Sequence, residues 1–249
     1  MRIVACFKVA PDDQDIAALP DRTLSFDRAA WKIGAYDLNA IEAARRLADE
    51  TGGSVVGLSA GGPALTNAKL AKDALSRGLD ELVTVIDDGL VAAESYQTAS
   101  VLAQAIGEIG DVDLVLVGAG SSDAYTQQVG NELGAILGWP ALNGVDAIKP
   151  DGDRLVVDRL LEDAVQVVEV SLPAVLSVTS GINEPRIAGM KDILAAGKKP
   201  TTTLPLTGGM PAPTARLQSV LAPEQVARGH MVLEGAKAPE ELAVYLKSL

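Results

Sequence analysis

VLVGAGSSDAYTQQVGNELGAILGWP, Val115 to Pro140, passes from an apolar strand through glycines, serines and one aspartate into an amphipathic helix. What those small polar residues hold at the strand's end is the central question of this sequence. Gly118-Ala119-Gly120 opens like the dinucleotide fingerprint GxGxxG, but Asp123 stands where the third glycine belongs. No βαβ unit with an acidic residue about 20 positions further on follows, so that motif fails its own context. No GK[ST] follows either, which removes the P-loop. A strand, a hydroxyl-rich loop and a helix start are left. Backbone N–H groups of Ser121 to Thr126, at the positive end of the helix dipole, would make an anion site. A plain strand-to-helix turn with Ser or Asp as N-cap explains the same local string.

The flanking chain repeats this strand–loop–helix rhythm. Arg2 to Ala10 is a near-continuous apolar run with β-branched residues, which predicts a buried strand. Pro11 to Gly34 is polar with two prolines, a loop with a short hairpin. Ala35 to Gly53 places Leu38, Ile41, Ala44 and Leu47 at helical spacing, with Asp37 as the expected cap and Gly52-Gly53 as the stop. Strands are predicted over Ser54–Gly62, Glu81–Asp87 and Val112–Gly118. Helices are predicted over Ala64–Gly78, with Gly78 at C′, and over Val91–Gly110. Strands alternating with helices give a parallel sheet, whose buried strands read as solid apolar runs. Ligands of such sheets sit beyond the strands' carboxyl ends, at a switch point. Three polar strand ends, FKVAPDD, LSAGGPA and VGAGSSDAYT, form one cleft if their strands are neighbours.

After Pro140 the rhythm changes. Leu142–Lys149, Asp153–Leu161 and Ala164–Leu172 read as an antiparallel meander around an Asp151-Gly152 turn. Ala174–Gly181 is a further apolar strand, and Ile182–Pro200 a loop and short helix with the basic residues Arg186, Lys191, Lys198 and Lys199. From Thr201 to about Ala238 the chain is rich in Pro, Gly and Thr with no periodic pattern, and a helix closes it from Pro239. The expected fold class is α/β, a mostly parallel sheet flanked by helices with an antiparallel strand extension and a C-terminal arm. Residues 1–200 are expected to form a nucleotide-binding α/β domain, and residues 201–249 a C-terminal arm and helix that either drapes over its own domain or docks a partner subunit.

Composition narrows the function. The 249 residues are 48% hydrophobic but only 3% aromatic, with a formal net charge of −12. Phosphate backbones and anionic membranes need positive surface, so the charge argues against nucleic acid and anionic membranes as partners. One cysteine, Cys6, and one histidine, His230, leave neither an internal disulfide nor a zinc cluster. No stretch approaches the ~18 apolar residues of a membrane span, and the chain enters a strand at once with no signal-peptide core. A soluble, cytoplasmic protein is expected.

Several strings together resemble the beta subunit of electron-transfer flavoproteins, more specifically the Fix type: YDLNAIEAA, ALTNAK, LSRGLDEL, GSSDAYTQQVG, LPAVLSV and INEPRIAGMKDILAAGKKP. The resemblance covers roughly residues 1 to 200. It implies a fold like that of adenine-nucleotide alpha-hydrolase-type domains. It also implies a heterodimer with an alpha subunit that carries the redox FAD, and an adenine nucleotide in this subunit: AMP in many members, a second FAD in electron-bifurcating ones. Electrons would come from donor dehydrogenases. The implied cofactor contacts are Cys6; Gly34, Ala35, Tyr36 and Asp37; Ala60; and Gly118, Ala119, Gly120, Ser121, Ser122, Asp123, Ala124, Tyr125, Thr126, Gln127, Gln128 and Val129. The chain departs from the commoner pattern in two places, at Gly34 to Leu38, where NPFDE-like strings stand, and at Gly120 to Ala124, where AIDDD-like strings stand. An asparagine side-chain contact is thereby lost at Gly34, and the Fix-type branch is favoured. The implied partner-docking loop contains Arg186, Met190 and Lys191, with Met190 as a flexible apolar anchor among charges. A free-standing nucleotide-binding module of universal-stress type shares the fold and the Gly/Ser loop but lacks the anchor segment and tail. An adenylating ligase would carry a Ser-Gly phosphate loop after the first strand, where this chain has KVAPDD.

Overall fold

A computed structural model describes residues 1–215, 217–224 and 230–248; Leu249, the last residue of the expected closing helix, lies outside the described residues. In chain order the strands are β1 (Arg2–Cys6), β2 (Val9–Pro11), β3 (Ala17–Ala18), β4 (Leu24–Ser25), β5 (Trp31–Ile33), β6 (Ser54–Gly61), β7 (Glu81–Ile86), β8 (Leu114–Gly118), β9 (Ala141–Asp151), β10 (Arg154–Leu160), β11 (Val165–Ser171), β12 (Ala174–Val178) and β13 (Thr201–Leu204). The α-helices are α1 (Ala35–Thr51), α2 (Ala68–Ser76), α3 (Ser95–Ile109), α4 (Val129–Leu137), α5 (Met190–Ala196) and α6 (Ala238–Lys247).

Nine strands form one sheet in the order β11-β10-β9-β12-β8-β1-β6-β7-β13. From β9 through β13 every neighbouring pair is parallel, and β10 and β11 extend the β9 edge antiparallel. This is the expected α/β class with its antiparallel extension, turned at Gly152 in the left-handed region. The parallel strands are apolar on both faces because helices cover both. Ile3, Ala5, Leu114, Leu116 and Leu176 pack with α1, α2 and α5, whereas Val4, Val115 and Val175 pack with α3 and α4. Leu114, Leu116 and Leu176 are fully buried, and each contributes about 1.5–3 kcal/mol of burial free energy.

Three expectations change. The Val91–Gly110 helix starts only at Ser95, because the Asp87 carboxylate accepts from Gly89 N and closes a separate 3₁₀ turn over Asp88–Ala92. The Ala64–Gly78 helix likewise splits at Asn67, whose side chain caps α2 by accepting from Lys69 N. Thr201–Leu204 reads as aperiodic in the sequence, yet it is the outer strand beside β7, with the Thr84 and Thr203 hydroxyls 3.0 Å apart. Three consecutive threonines suit a pleated surface, but four residues are too few for alternation to show. The polar Pro11–Gly34 segment holds the expected hairpin, β3 with β4, and also pairs β2 with β5.

Candidate functional site

Chain order runs from β1 outward through β6 and β7, then returns to place β8 on the other side of β1. Helix α1, leaving β1, packs on one face, and α4, leaving β8, on the other. A crevice therefore opens between the carboxyl ends of β1 and β8, the place where open α/β sheets bind ligands. The three polar strand ends belong to neighbours, β8, β1 and β6. This brings Cys6, the Gly34–Asp37 turn, Ala60 and the Gly118–Val129 segment to one end of the sheet.

Asp37 is at the floor of the crevice, 7% exposed. It does not cap α1; Gly34 occupies that position without a side-chain bond. The Asp37 carboxylate instead reaches back to β1, where Oδ2 accepts from Lys8 N at 2.7 Å. A side chain at Gly34 or Gly118 would collide with it: a Cβ there would lie 2.6 Å from Asp37 Oδ2 or 2.4 Å from Asp37 Oδ1. At Gly118 the Cβ would also meet the Tyr36 backbone carbon at 2.8 Å. The two glycines thus let the start of α1 close onto the ends of β1 and β8. Burial pushes the Asp37 carboxyl up to about 7, against the opposing pull of the Lys8 and Gly118 amides. Cys6 is buried beside it, its thiol raised by burial first and by Asp37 second, which leaves it an unreactive wall.

Above this floor the loop from Ala119 to Gln128 exposes its backbone. The Ala119 amide donates to Val178 O at 2.9 Å, Ala124 to Asp123 Oδ1 at 2.8 Å and Tyr125 to Ser121 Oγ at 3.4 Å. The amides of Gly120, Ser121, Ser122, Thr126 and Gln127 have no partner among the described residues. No side chain caps α4, so its first-turn N–H groups add to these free donors. Asp123, whose charge would oppose an anion at these amides, is met by Lys8, whose Nζ stands 2.6 Å from Oδ2. Burial opposes its ionisation, but Lys8 and Ser121 hold the carboxyl below its ordinary range. Tyr125 and Gln127 adopt φ of +47° and +57°, left-handed conformations that strain non-glycine residues. The Tyr125 ring lies over Gly120, where a Cβ would come within 2.5 Å of it, and its hydroxyl meets that of Tyr36 at 3.2 Å. Gln128 turns away from the loop: its Oε1 accepts from Ser95 Oγ at 2.9 Å.

Beside the loop, toward β9 and β10, is a cavity of about 440 Å³. Tyr36, Tyr125 and Gln127 line it from the expected site; Asn143, Gly144, Arg159, Leu160, Ser177 and Thr179 are among the residues that sequence reasoning missed. For Asn143, Gly144, Arg159 and Leu160 the sequence signal is the meander, and for Ser177 and Thr179 the apolar strand after it; neither carries a motif.

The Ile182–Pro200 segment is fixed at its base. Glu42, buried in α1, accepts from Arg186 Nε and Arg46 Nε, each at 2.6 Å. Burial raises the Glu42 carboxyl, but Arg186 and Arg46 outweigh it and hold the group below its usual range. Asn39 donates to Asn183 O at 2.7 Å. Two of the four basic residues are therefore engaged with their own chain, since Lys199 Nζ also donates to Leu75 O at 2.9 Å. Beyond this base Ile187, Met190 and Leu194 project, 94%, 74% and 69% exposed. The tail after β13 first follows α3, with Gln97 Nε2 donating to Pro211 O at 2.9 Å and Thr214 N to Glu94 Oε1. Helix α6 buries no residue and exposes Leu242, Val244, Tyr245 and Leu246.

Among the described residues no helix is long and apolar enough to cross a membrane, and no cluster of His, Cys, Asp and Glu is placed to hold a metal ion. A family model described as the electron transfer flavoprotein domain matches residues 23–208. That span takes in the crevice glycines, the 119–128 loop, the cavity and the anchored basic segment, and the chain belongs to the electron transfer flavoprotein family, whose members carry electrons by means of flavin.

Proposed function

We propose that this chain is the beta subunit of a Fix-type heterodimeric electron transfer flavoprotein, and that it holds an adenine nucleotide in the crevice between β1 and β8. The observation that carries this reading is the row of unpartnered amides in the 119–128 loop, continuous with the uncapped start of α4. Free N–H groups at a helix N-terminus, with the loop's own carboxylate, Asp123, paired to Lys8, suit a phosphate or diphosphate. Gly34, Ala35, Tyr36, Asp37, Cys6 and Ala60 would form the walls and floor, and Gly118 to Val129 the phosphate cradle. The redox-active FAD belongs to the alpha partner, and electrons delivered by donor dehydrogenases pass through flavin to a downstream acceptor. This chain contributes no acid, base or nucleophile to that transfer; its residues bind, orient and exclude water.

Between the two nucleotides of the family, FAD fits this crevice better than AMP. A cavity of about 440 Å³ adjoins the phosphate loop, room that a mononucleotide seated on the loop would not fill. A second flavin here would make the heterodimer an electron-bifurcating one. Met190 and Lys191, raised on the segment that Arg186 anchors, would meet the donor dehydrogenase. The exposed apolar side of α6 and the arm would meet the alpha subunit. Acid extraction of the intact heterodimer followed by chromatography tests the nucleotide: two FAD per heterodimer are expected. One FAD with one AMP would return the protein to the one-flavin carriers, and no adenine nucleotide beyond a single FAD would remove the site. Titration of Gly120→Val and Ser122→Asp variants localises it. Both should bind the nucleotide more weakly, by steric closure and by added negative charge, and unchanged affinities would put the site elsewhere.

A further inference from the structure

We propose that Arg159 is a specificity-determining residue of this site. In this reading it recognises the non-adenylate half of a dinucleotide through the carbonyl-rich edge of a planar ring, an edge that gains negative charge on reduction. The inference rests on the nucleotide reading above and adds a residue that neither the loop nor the crevice floor contains. Among the described residues Arg159 is the only charged one lining the cavity, whose other walls are the Tyr36 and Tyr125 side chains, Leu160, Leu161 and small hydroxyl or amide residues. The backbone around it is irregular on both sides. Pairing of β10 with β9 shifts register between Asp158 and Arg159, and pairing of β12 with β9 shifts between Leu176 and Val178. Bulges of this kind re-aim side chains next to functional sites. The irregularity depends on Gly144, at φ +68°, where a Cβ would lie 2.9 Å from Leu160 O.

The guanidinium is held without being neutralised. Nε donates to Asn143 O at 2.9 Å, Nη2 to Asn143 Oδ1, and Nη1 to Gln166 Oε1 at 3.4 Å. All of these acceptors are uncharged, and among the described residues no carboxylate lies within ion-pair reach of Arg159. In a chain with 33 acidic residues against 21 basic ones, a fixed, half-buried and unpaired cation facing a cavity is a demand for a ligand acceptor. A planar fork of donors matches a pair of ring carbonyls or an anionic N–C–O edge better than a lysine would. The competing cavity groups are already engaged, since Thr179 Oγ1 donates to Asp146 and Ser177 Oγ to Gly118 O. The two tyrosine rings, with centroids 5.9 Å apart and tilted by 43°, offer an aromatic wall for the same planar group.

The test uses the heterodimer stripped of nucleotide and titrated calorimetrically with AMP and with FAD, as parent and as the Arg159→Gln and Arg159→Lys variants. Arg159→Gln should leave AMP affinity within about twofold while weakening FAD by about tenfold or more, the range for losing one charge-assisted hydrogen bond. Arg159→Lys should fall between, and the visible spectrum of FAD added to the apo-heterodimer should shift in Arg159→Gln. Equal losses for both ligands would make Arg159 a brace of the bulge or a phosphate contact, and unchanged FAD affinity would remove it from the site; either result overturns the proposal. If the parent binds neither ligand, the nucleotide reading itself fails and this inference fails with it. If the parent binds AMP but FAD discrimination is unaltered in the variants, this inference fails alone.

Discussion

Asp37 offers the sharpest quantitative test of the crevice. Its carboxyl is raised by burial to about 7 from the 3.8 of an unperturbed aspartate, so folding takes up a proton between those values. A raised carboxylate makes the native state bind more protons than the unfolded chain, and stability then falls as pH rises through that window. The cost of keeping Asp37 ionised is absent below about pH 4 and complete above about pH 7. Replacing Asp37 with Asn removes the ionisation and keeps one oxygen to accept from Lys8 N. The amide group, however, must fit where Gly118 leaves no spare room, a penalty independent of pH. The difference in stability between parent and variant should therefore change with pH while its offset stays fixed. From pH 8 to pH 5.5 the parent gains about 1.5 units' worth of protonation at about 1.4 kcal/mol per unit, or about 2 kcal/mol that the variant does not gain. Urea unfolding at the two pH values, with slopes checked for constancy, measures it. A parent–variant difference that is the same at pH 5.5 and pH 8 would show that Asp37 titrates normally and is not the buried floor described above.

Three further outcomes follow from the packing. Gly118→Ala should destabilise by about 1–3 kcal/mol, because the added methyl meets the Tyr36 backbone as well as Asp37, whereas Gly107→Ala on the open side of α3, with nothing within 4 Å, should stabilise by about 0.5–1 kcal/mol; paired thermal melts compare them. Arg186→Ala should cost roughly 1.5–3 kcal/mol and make the 182–190 segment cleavable by limited proteolysis. Because Glu42 is held low, its stabilisation is present above about pH 4.5 and lost as pH falls further, so the Arg186→Ala deficit should shrink in acid. Met190→Ala, at a fully projecting position, should slow electron acceptance from a donor dehydrogenase in stopped-flow mixing while leaving nucleotide content intact; equal rates would reduce the segment to packing.

The sheet was readable in the sequence because its strands are solid apolar runs between capped or glycine-stopped helices, and Gly52 takes the left-handed stop it promises. The convergence of the three strand ends was readable only as a condition, since neighbourhood in a sheet is a property of topology. What stayed hidden has a common physical cause. Asp37 carries the composition of a cap and the position of a first-turn residue, and only the approach of β8, permitted by Gly118, makes it a buried acceptor. Arg186 looks like solvent-exposed charge until Glu42, 144 positions earlier, is seen to face it. Arg159 and Asn143 belong to adjacent strands of a meander whose alternation says which face they take but not that bulges turn them to a ligand-sized space.

On the proposed reading, the arrangement also explains how a loop with an aspartate in its middle can serve an anion. Lys8 follows β1 directly, and Asp123 sits in the loop after the adjacent strand β8, so their ion pair ties together the two strand ends that bound the crevice. Both side chains are more than a third exposed, and such a pair adds little stability by itself. Its larger effect is on the field: it offsets the loop's own negative charge, which would oppose a phosphate at the free amides. Asp123→Asn would then leave the phosphate site nearly neutral in its response, while Lys8→Met would expose Asp123 and repel the ligand. Calorimetric titration of AMP should show weakening of about tenfold or more for Lys8→Met, little change for Asp123→Asn, and recovery in the double variant. Additive losses in the double variant would mean that each residue touches the ligand separately, and that the pairing seen across the crevice does not govern its charge.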